Sequence, residues 1–277
     1  MHNRISGSKK MVTINMNNIM FNSTHSSNKK KASDLQNIRN QLHKKYPMKS
    51  QYNSVIPLNI FQTWHTKALC PGMQTSVETI IRTNPEFKYY LFDDDDCAAF
   101  IKSNFDEDVY NAFNSLVPGA YKADLWRYCV LYKEGGIYLD IKYRPINGFR
   151  CIDITENEHW VLDTDKNRIY NALMVCKLGN PILLKAIEMI VQNVKNKYYG
   201  DNALYPTGPA LLGQLFSSEE KQLFDMYHDY LDTENNRFIY YNNRIIFKSY
   251  EGYIQDCNNQ AKRPYYYNLW QERKVYS

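Results

Sequence analysis

The stretch that decides the fold runs from Ala120 to Asp140 and reads AYKADLWRYCVLYKEGGIYLD. Apolar residues recur at helical spacing through its first half, which predicts a helix. The pair Gly135-Gly136 ends that helix, and Ile137 to Leu139 has the β-branched and aromatic character of a strand. Asp140 follows directly. The pattern therefore predicts a helix, a tight break and a short buried strand that ends on a carboxylate.

Two polar side chains lie within this helix. Asp124 and Arg127 are three residues apart and so share one face. On an ordinary helix they would form an exposed ion pair of little consequence. The carboxyl end of a strand in an open α/β sheet is where ligands bind, however, and Asp140 marks such an end. The sequence is therefore compatible with two interpretations of the pair: an exposed ion pair, or part of a ligand site at the end of the strand.

The charge of the chain is unevenly distributed. Its 277 residues carry a formal charge of +5, yet residues 1–54 alone hold ten Lys or Arg and one Asp, a net charge of +9. The remainder has 24 basic and 28 acidic residues and a net charge of −4. A nucleic-acid surface would place its basic residues on the folded body, so no nucleic-acid partner is expected.

The cysteines and the N-terminus argue for a reduced, soluble protein. The six Cys are scattered without C-x-x-C pairs, so neither a zinc site nor a disulfide framework is indicated. Apolar runs are too short to cross a bilayer, and no signal peptide is evident. The expectation is a cytoplasmic protein without a membrane anchor. Its oligomeric state is left open.

The chain is predicted to have two parts. Residues 1–54 are read as a basic, largely flexible segment, in which Ser33 caps one short helix. Residues 55–277 form a single domain in which strands and helices alternate, as in an α/β fold with a mostly parallel sheet flanked by helices. Strands are expected at 60–64, 87–92, 137–139, 160–162, 172–175, 238–241 and 245–247, and helices at 73–82, around 109–116, 181–197 and from Pro209.

Four consecutive aspartates, Asp93 to Asp96, follow the second predicted strand. Such a run can be a metal cluster or the acidic start of a helix. Because a helical pattern follows, the sequence favours a helix cap that also complements the helix dipole.

Five stretches resemble, in order, the DXD-containing family 32 glycosyltransferases of the capsular-polysaccharide and α-mannosyltransferase type. They are similar also to the large glucosylating bacterial toxins. The stretches are IPLNIFQTWH from Ile56, NPEFKYYLFDDDD from Asn84, YKADLWRYCVLYKEGGIYLD from Tyr121, NALMVCKLGNP from Asn171 and YPTGP from Tyr205.

This resemblance implies a GT-A fold, Rossmann-like, that uses a nucleotide sugar and retains the anomeric configuration. Asp140 then takes the first-acid position of the D-x-D motif, with Tyr138 near the nucleotide. Asp124 and Arg127 bind hydroxyls of the donor sugar, Trp64 stacks on the base, and Trp270 closes over the diphosphate. Weaker candidates for sugar or acceptor contacts are Asn171 and Asp163, and Gly208 lets backbone approach the sugar.

The sequence departs from the family at position 142. A D-x-D motif requires an acid there, whereas the chain reads Asp140-Ile141-Lys142. A protonated Lys cannot ligate Mn²⁺ or Mg²⁺. Three alternatives remain open: Lys142 supplies the positive charge itself, Asp140 and a C-terminal oxygen such as that of Asn268 hold the metal, or the chain is inactive.

The expected function is therefore transfer of a hexose from a UDP- or GDP-sugar to a glycan, lipid or protein acceptor. The alternative is a catalytically inactive relative that still binds a nucleotide sugar or carbohydrate. The sequence does not choose the nucleotide, the sugar or the acceptor, because those depend on contacts scattered over several loops.

Overall fold

A computed structural model describes residues 36, 38, 40–42, 44–231, 236–260 and 264–277. The chain divides into two compact units, 1–40 and 41–277. In the first unit, Gln36 and Asn40 are helical and are joined by a side-chain hydrogen bond of 3.2 Å. The predicted flexible stretch 1–33 and the cap at Ser33 lie outside the described residues.

The second unit is built on one nine-stranded sheet. Its strands are β1 Asn59–Thr63, β2 Lys88–Phe92, β3 Gly136–Leu139, β4 Tyr143–Pro145, β5 His159–Leu162, β6 Ile169–Cys176, β7 Met226–Leu231, β8 Asn236–Tyr241 and β9 Arg244–Ser249. Across the sheet they lie in the order β2-β1-β3-β6-β5-β7-β8-β9-β4. The predicted strands are present, whereas β4 and β7 lacked a pattern strong enough to be predicted.

The helices alternate with the strands in the first two thirds of this unit. They are α1 Pro71–Thr83, α2 Asp94–Asn104, α3 Glu107–Ser115, α4 Gly119–Glu134, α5 Pro181–Lys195, α6 Pro209–Gly213, α7 Ser218–Gln222, α8 Tyr253–Gln260 and α9 Tyr266–Gln271. A short 3-10 helix covers Cys151–Ile154. The α/β class predicted from the alternating pattern is confirmed.

The sheet is mixed. Parallel pairing joins β1 to β2, β1 to β3 and β5 to β7, as the alternating pattern predicts. The other five pairings are antiparallel. Connection length accounts for two of these, since β8 follows β7 after four residues and β9 follows β8 after two, too few for a parallel crossover.

The helix α4 and the strand β3 form the centre of this unit, as predicted. Gly135 and Gly136 adopt φ of 60° and 119°, so the chain leaves α4 through backbone conformations that side chains rarely permit. A Cβ at Gly136 would lie 2.7 Å from the carbonyl oxygen of Asn59 on β1. The break therefore needs glycine both for its conformation and for close approach to the neighbouring strand.

The helix α4 is buried on almost every side, which the predicted apolar stripe did not indicate. Residues 124–131 are all buried, the polar Asp124 and Arg127 included. The sheet lies on one side of α4, and α2, α3 and α5 cover much of the rest. A polar pair inside such a core must be satisfied by hydrogen bonds, and this requirement shapes the site described below.

The run of aspartates caps a helix, as the sequence favoured. The Asp93 side chain accepts from the backbone N–H of Asp96 at 3.0 Å, and Asp96 accepts from the N–H of Asp93 at 3.1 Å. This reciprocal arrangement satisfies two backbone donors at the start of α2. The acidic run is therefore a structural feature of the helix.

The six cysteines are free thiols, and four of them are buried. Their redox state in the cell stays a prediction. In the part of the chain that the structure describes, none of the helices has the length and apolar character needed to cross a bilayer.

Candidate active site

Most of the predicted site residues line a cleft at the C-terminal end of β3. The cleft has a volume of about 360 Å³. Among the residues that line it are Asp124, Arg127, Asp140, Lys142, Asn171 and Gly208. These come from α4, from the turn after β3, from β6 and from the residue before α6, so residues up to 84 positions apart in the chain, from Asp124 to Gly208, meet at one end of the sheet.

Asp140 is held from three directions. Its Oδ1 accepts from the Tyr138 hydroxyl at 2.8 Å and from Arg127 at 3.3 Å, while its Oδ2 accepts from the Lys142 ammonium. Burial alone would raise the pKa of this carboxyl, but Lys142 and Arg127 outweigh burial and hold the pKa below its usual range. The carboxylate is 21% exposed and ionised at neutral pH.

Arg127 connects the two carboxylates of the site. Its Nη1 donates to the carbonyl oxygen of Asn171 at 2.7 Å as well as to Asp140, and its Nη2 lies 3.6 Å from Asp124. The guanidinium also lies over the Tyr138 ring at 4.3 Å. A planar group fixed by this many contacts has little freedom to turn, so Arg127 presents its charge in one orientation.

The side chain of Asp124 is more deeply buried than that of Asp140. Its Oδ1 accepts from the Asn171 amide at 2.9 Å and its Oδ2 from the Thr207 hydroxyl at 2.8 Å. Burial raises the pKa of Asp124 in spite of the opposing effect of Arg127. The side chains of Asp124 and Arg127 are only 10% and 7% exposed, so the plain interpretation of the pair as a surface ion pair is wrong.

Gly208 lies directly against Asp124. A Cβ at this position would come within 3.2 Å of Asp124 Oδ2. Pro209 then begins α6, so the helix start predicted from Thr207-Gly208-Pro209 is confirmed. The glycine leaves room for the carboxylate, and its backbone lines the cleft.

Four predicted site residues lie outside the lining of the cleft. Tyr138 is buried and reaches the site only through its hydroxyl, which donates to Asp140. The Trp64 indole N–H donates to the Gln260 side chain at 2.9 Å, and the ring packs beside α1. Trp270 donates to the carbonyl oxygen of Tyr199 at 2.8 Å. Asn268 is exposed on α9. Their assigned roles as base platform, lid and metal ligand stay predictions.

Sequence reasoning missed the wall of the cleft that β7 and β8 supply. His228 stacks on Tyr170 with ring centroids 3.9 Å apart, and its Nδ1 lies 3.3 Å from Asp163 Oδ1. Arg237 lines the cleft as well. Only the alternation of polar and apolar residues along these strands could have pointed to this wall, and that alternation does not say which face meets the site.

The residues of the site do not fit a divalent cation held in the manner of a D-x-D motif. Lys142 occupies the place of the second acid, and its ammonium lies on the one oxygen of Asp140 that Arg127 and Tyr138 leave free. Among the described residues, no three side chains of His, Cys, Asp or Glu gather as metal ligands. Oxygen ligands are what Mg²⁺ and Mn²⁺ need, and here a cation already takes up the carboxylate.

The segment that supplies the centre of this cleft matches a known family model. Residues 71–159 match the model described as "Glycosyltransferase sugar-binding region containing DXD motif". The matched segment includes Asp124, Arg127, Tyr138 and Asp140. This segment is similar to a glycosyltransferase sugar-binding region. The prediction of a DXD-containing glycosyltransferase relative is confirmed.

Two curated proteins that are similar to the chain are named as mannosyltransferases. The chain is 28% identical over 174 residues to "Inositol phosphoceramide mannosyltransferase 3" of Schizosaccharomyces pombe. This alignment covers 62% of the chain and 48% of the relative. The chain is 30% identical over 173 residues to "Initiation-specific alpha-1,6-mannosyltransferase" of Saccharomyces cerevisiae. This second alignment covers 58% of the chain and 34% of the relative. The chain thus spans about half or less of the length of these curated relatives.

A solved structure is also similar to this chain. It is "PaToxG Glycosyltransferase", 17% identical, with a TM-score of 0.47 and coverage of 70% of this chain and 78% of that one.

Proposed function

We propose that the chain is a retaining glycosyltransferase that moves a hexose from a nucleotide diphosphate sugar to a glycan, lipid or protein acceptor. The observation that carries this proposal is the linked set Asp124, Arg127 and Asp140. These three side chains meet at the end of β3, and they lie within the segment that matches the glycosyltransferase region.

The reaction explains why such groups would be assembled. When the sugar–phosphate bond breaks, its electron pair goes to the departing diphosphate, and positive charge develops on the anomeric carbon. Fixed cations stabilise the first charge and carboxylates tolerate the second. Arg127 and Lys142 supply cations at the cleft, and Asp140 holds both of them in place.

The roles of the remaining polar groups follow from their positions. Asp124 and Arg127 bind hydroxyls of the donor sugar, since both line the cleft and are fixed by Asn171 and Thr207. The acceptor hydroxyl attacks from the face that the diphosphate leaves, and its proton passes to the departing phosphate. No covalent sugar–enzyme intermediate is proposed, because both central carboxylates are already engaged by cations and hydrogen-bond donors.

Mannose is the first sugar to test, because the relatives described above are named as mannosyltransferases. Their names do not decide between nucleotides for this chain. UDP-sugars and GDP-sugars therefore belong in the same experiment.

A second candidate function is donor or carbohydrate binding without turnover. The specific observation in its favour is Lys142, whose ammonium takes up the carboxylate that family members are expected to offer to a metal. Under this alternative the cleft keeps its affinity for a nucleotide sugar, but the diphosphate is not released.

The experiment that tests the proposal is nucleotide release from a panel of UDP- and GDP-sugars, with and without methyl α-mannoside as an acceptor, in Mn²⁺, Mg²⁺ or EDTA. Release of one nucleotide is expected, and Asp140→Asn should reduce it roughly 100-fold or more because both cations lose their anchor. Asp108→Asn is the matched control, since Asp108 is an exposed acid whose ion-pair partner among the described residues is Lys195 on α5. Unchanged turnover in Asp140→Asn would reject the assigned site.

A further inference from the structure

Arg237 on β8 lies between two cavities. One is the cleft described above, and the other is a larger cavity of about 520 Å³ beside α8, lined by residues 249–255 together with Asn258 and Asn259. Among the described residues, Arg237 alone lines both. Its backbone N–H is fixed by Ser249 Oγ on β9 at 3.0 Å, so the position of this residue in the sheet is well defined.

Arg237 has no carboxylate partner among the described residues, which distinguishes it from the other cations of the cleft. Arg127 and Lys142 both contact Asp140, whereas Arg237 lines the cleft beside Tyr170. An arginine that is partly removed from water without an anion is costly unless a ligand supplies one.

The acids around Arg237 are engaged elsewhere. Asp124 and Asp140 are held by the groups described above, and Asp163 accepts from its own neighbour Thr164 and contacts His228. On the side of the larger cavity, Glu251 lies 3.5 Å from Lys248. The Arg237 guanidinium is therefore the cation at this position whose charge is left for a ligand.

Tyr170 brings Arg237 and Lys142 to the same place. The Lys142 ammonium lies 5.6 Å from the centre of the Tyr170 ring, and Arg237 lines the cleft together with the same tyrosine. The Tyr170 hydroxyl lies 2.8 Å from the Tyr143 hydroxyl, so the ring is held firmly. Two basic side chains thus border one tyrosine within the cleft.

We propose that Arg237 and Lys142 bind the diphosphate of the donor, in the place of the divalent cation that a D-x-D motif would hold. This inference rests on the proposed function and names the charge that replaces the metal. The planar guanidinium offers two parallel N–H donors, which match the oxygens of a phosphate, and Lys142 adds a compact point charge. Under this proposal, the charge of Lys142, together with that of Arg237, takes the place of the metal ion.

The test is calorimetric titration of the full chain in EDTA with UDP, GDP, inorganic pyrophosphate, uridine and guanosine. Wild type is expected to bind pyrophosphate and at least one of the two diphosphates without metal. Arg237→Gln should weaken those ligands about tenfold to hundredfold, as expected for hydrogen bonds to a charged group, and leave the nucleosides unchanged. Arg244→Gln on β9 is the matched control, because it removes the same charge outside both cavities.

A conservative variant keeps the test informative if Arg237→Gln folds poorly. Arg237→Lys retains the charge and loses the planar donors, so a smaller loss of pyrophosphate affinity is expected. The inference is overturned if Arg237→Gln and wild type bind pyrophosphate equally, if wild type binds no diphosphate, or if EDTA abolishes binding that Mn²⁺ restores. Metal-free diphosphate binding without sugar transfer would support this subsite and reject the proposed function.

Discussion

The Lys142 ammonium donates to Oδ2 of Asp140, two residues earlier in the chain, so the carboxylate at the end of β3 is neutralised by its own segment. Arg127 contacts the other oxygen of the same carboxylate. The strand end thus carries two cations on one acid. This relationship sets the electrostatics of the cleft and leads to the predictions below.

Lys142→Asp would place a second acid beside Asp140 and restore the D-x-D pattern. Two buried carboxylates repel each other, so we expect the variant to unfold at a lower temperature than wild type without divalent cations. Mn²⁺ should stabilise it, since a ligand at a hundred times its Kd adds about 2.7 kcal/mol. Thermal unfolding with Mn²⁺ or EDTA measures this effect. Lys142→Met is the control, and equal Mn²⁺ stabilisation of both variants would contradict the prediction.

Thr207→Val removes the hydroxyl that donates to Asp124 and keeps the shape of the side chain. Asp124 is buried, so the lost bond should lower the free energy of unfolding by about 1.5–3 kcal/mol. Urea denaturation measures the difference. Thr79→Val is the matched control, because the exposed Thr79 hydroxyl bonds only a carbonyl within its own helix. Similar losses in both variants would show that the buried bond is not special.

Gly208→Ala should impair sugar transfer more than folding. Its Cβ would come within 3.2 Å of Asp124 Oδ2, and that oxygen cannot retreat without losing Thr207. A displacement of a few tenths of an ångström in a group that positions the substrate should lower kcat/KM by roughly tenfold to hundredfold. Steady-state assays with the donor identified by the panel measure this, and a change in kcat/KM of less than twofold would argue against contact between Asp124 and the sugar.

Acid should destabilise the protein through His228. Burial lowers the pKa of His228 below its ordinary value of about 6.5; nearby Lys142 and Arg237 act in the same direction, and Asp163 acts against it. The unfolded chain therefore binds a proton that the folded chain refuses, and stability falls as the pH drops below about 6.5.

Replacement of the ring tests this pH dependence. His228→Phe keeps an aromatic stack on Tyr170 and cannot take up a proton. Its free energy of unfolding should depend less steeply on pH between 6.5 and 5.5, by up to about 1.4 kcal/mol per pH unit. Urea denaturation at several pH values checks this, and equal slopes for the variant and wild type would contradict it.

The local part of the fold and site could be predicted from sequence. The helix α4, the break at Gly135-Gly136 and the strand that ends at Asp140 follow from spacing, glycine chemistry and β-branched residues, all within one stretch. The capping of α2 by Asp93 was likewise a local pattern. Residues of this kind are recognised because the physical interactions that fix them lie only a few positions away.

The wall formed by β7 and β8 could not be predicted in the same way. Arg237 and His228 reach the cleft because β7 pairs with β5 in parallel and with β8 in antiparallel fashion. Nothing in their own surroundings in the sequence sets that pairing. The burial of Asp124 and Arg127 also depends on helices that cover α4 from other parts of the chain, so an exposed ion pair and a buried site looked alike.

The most direct measurement of the central claim is a crystal structure of the protein with the nucleotide sugar that the release assay selects, grown in EDTA. The account predicts the donor in the cleft at the end of β3, with sugar hydroxyls on Asp124 and Arg127 and the diphosphate on Lys142 and Arg237. A donor bound elsewhere, such as wholly within the larger cavity beside α8, or a donor that enters the cleft only with a metal on Asp140, would contradict it.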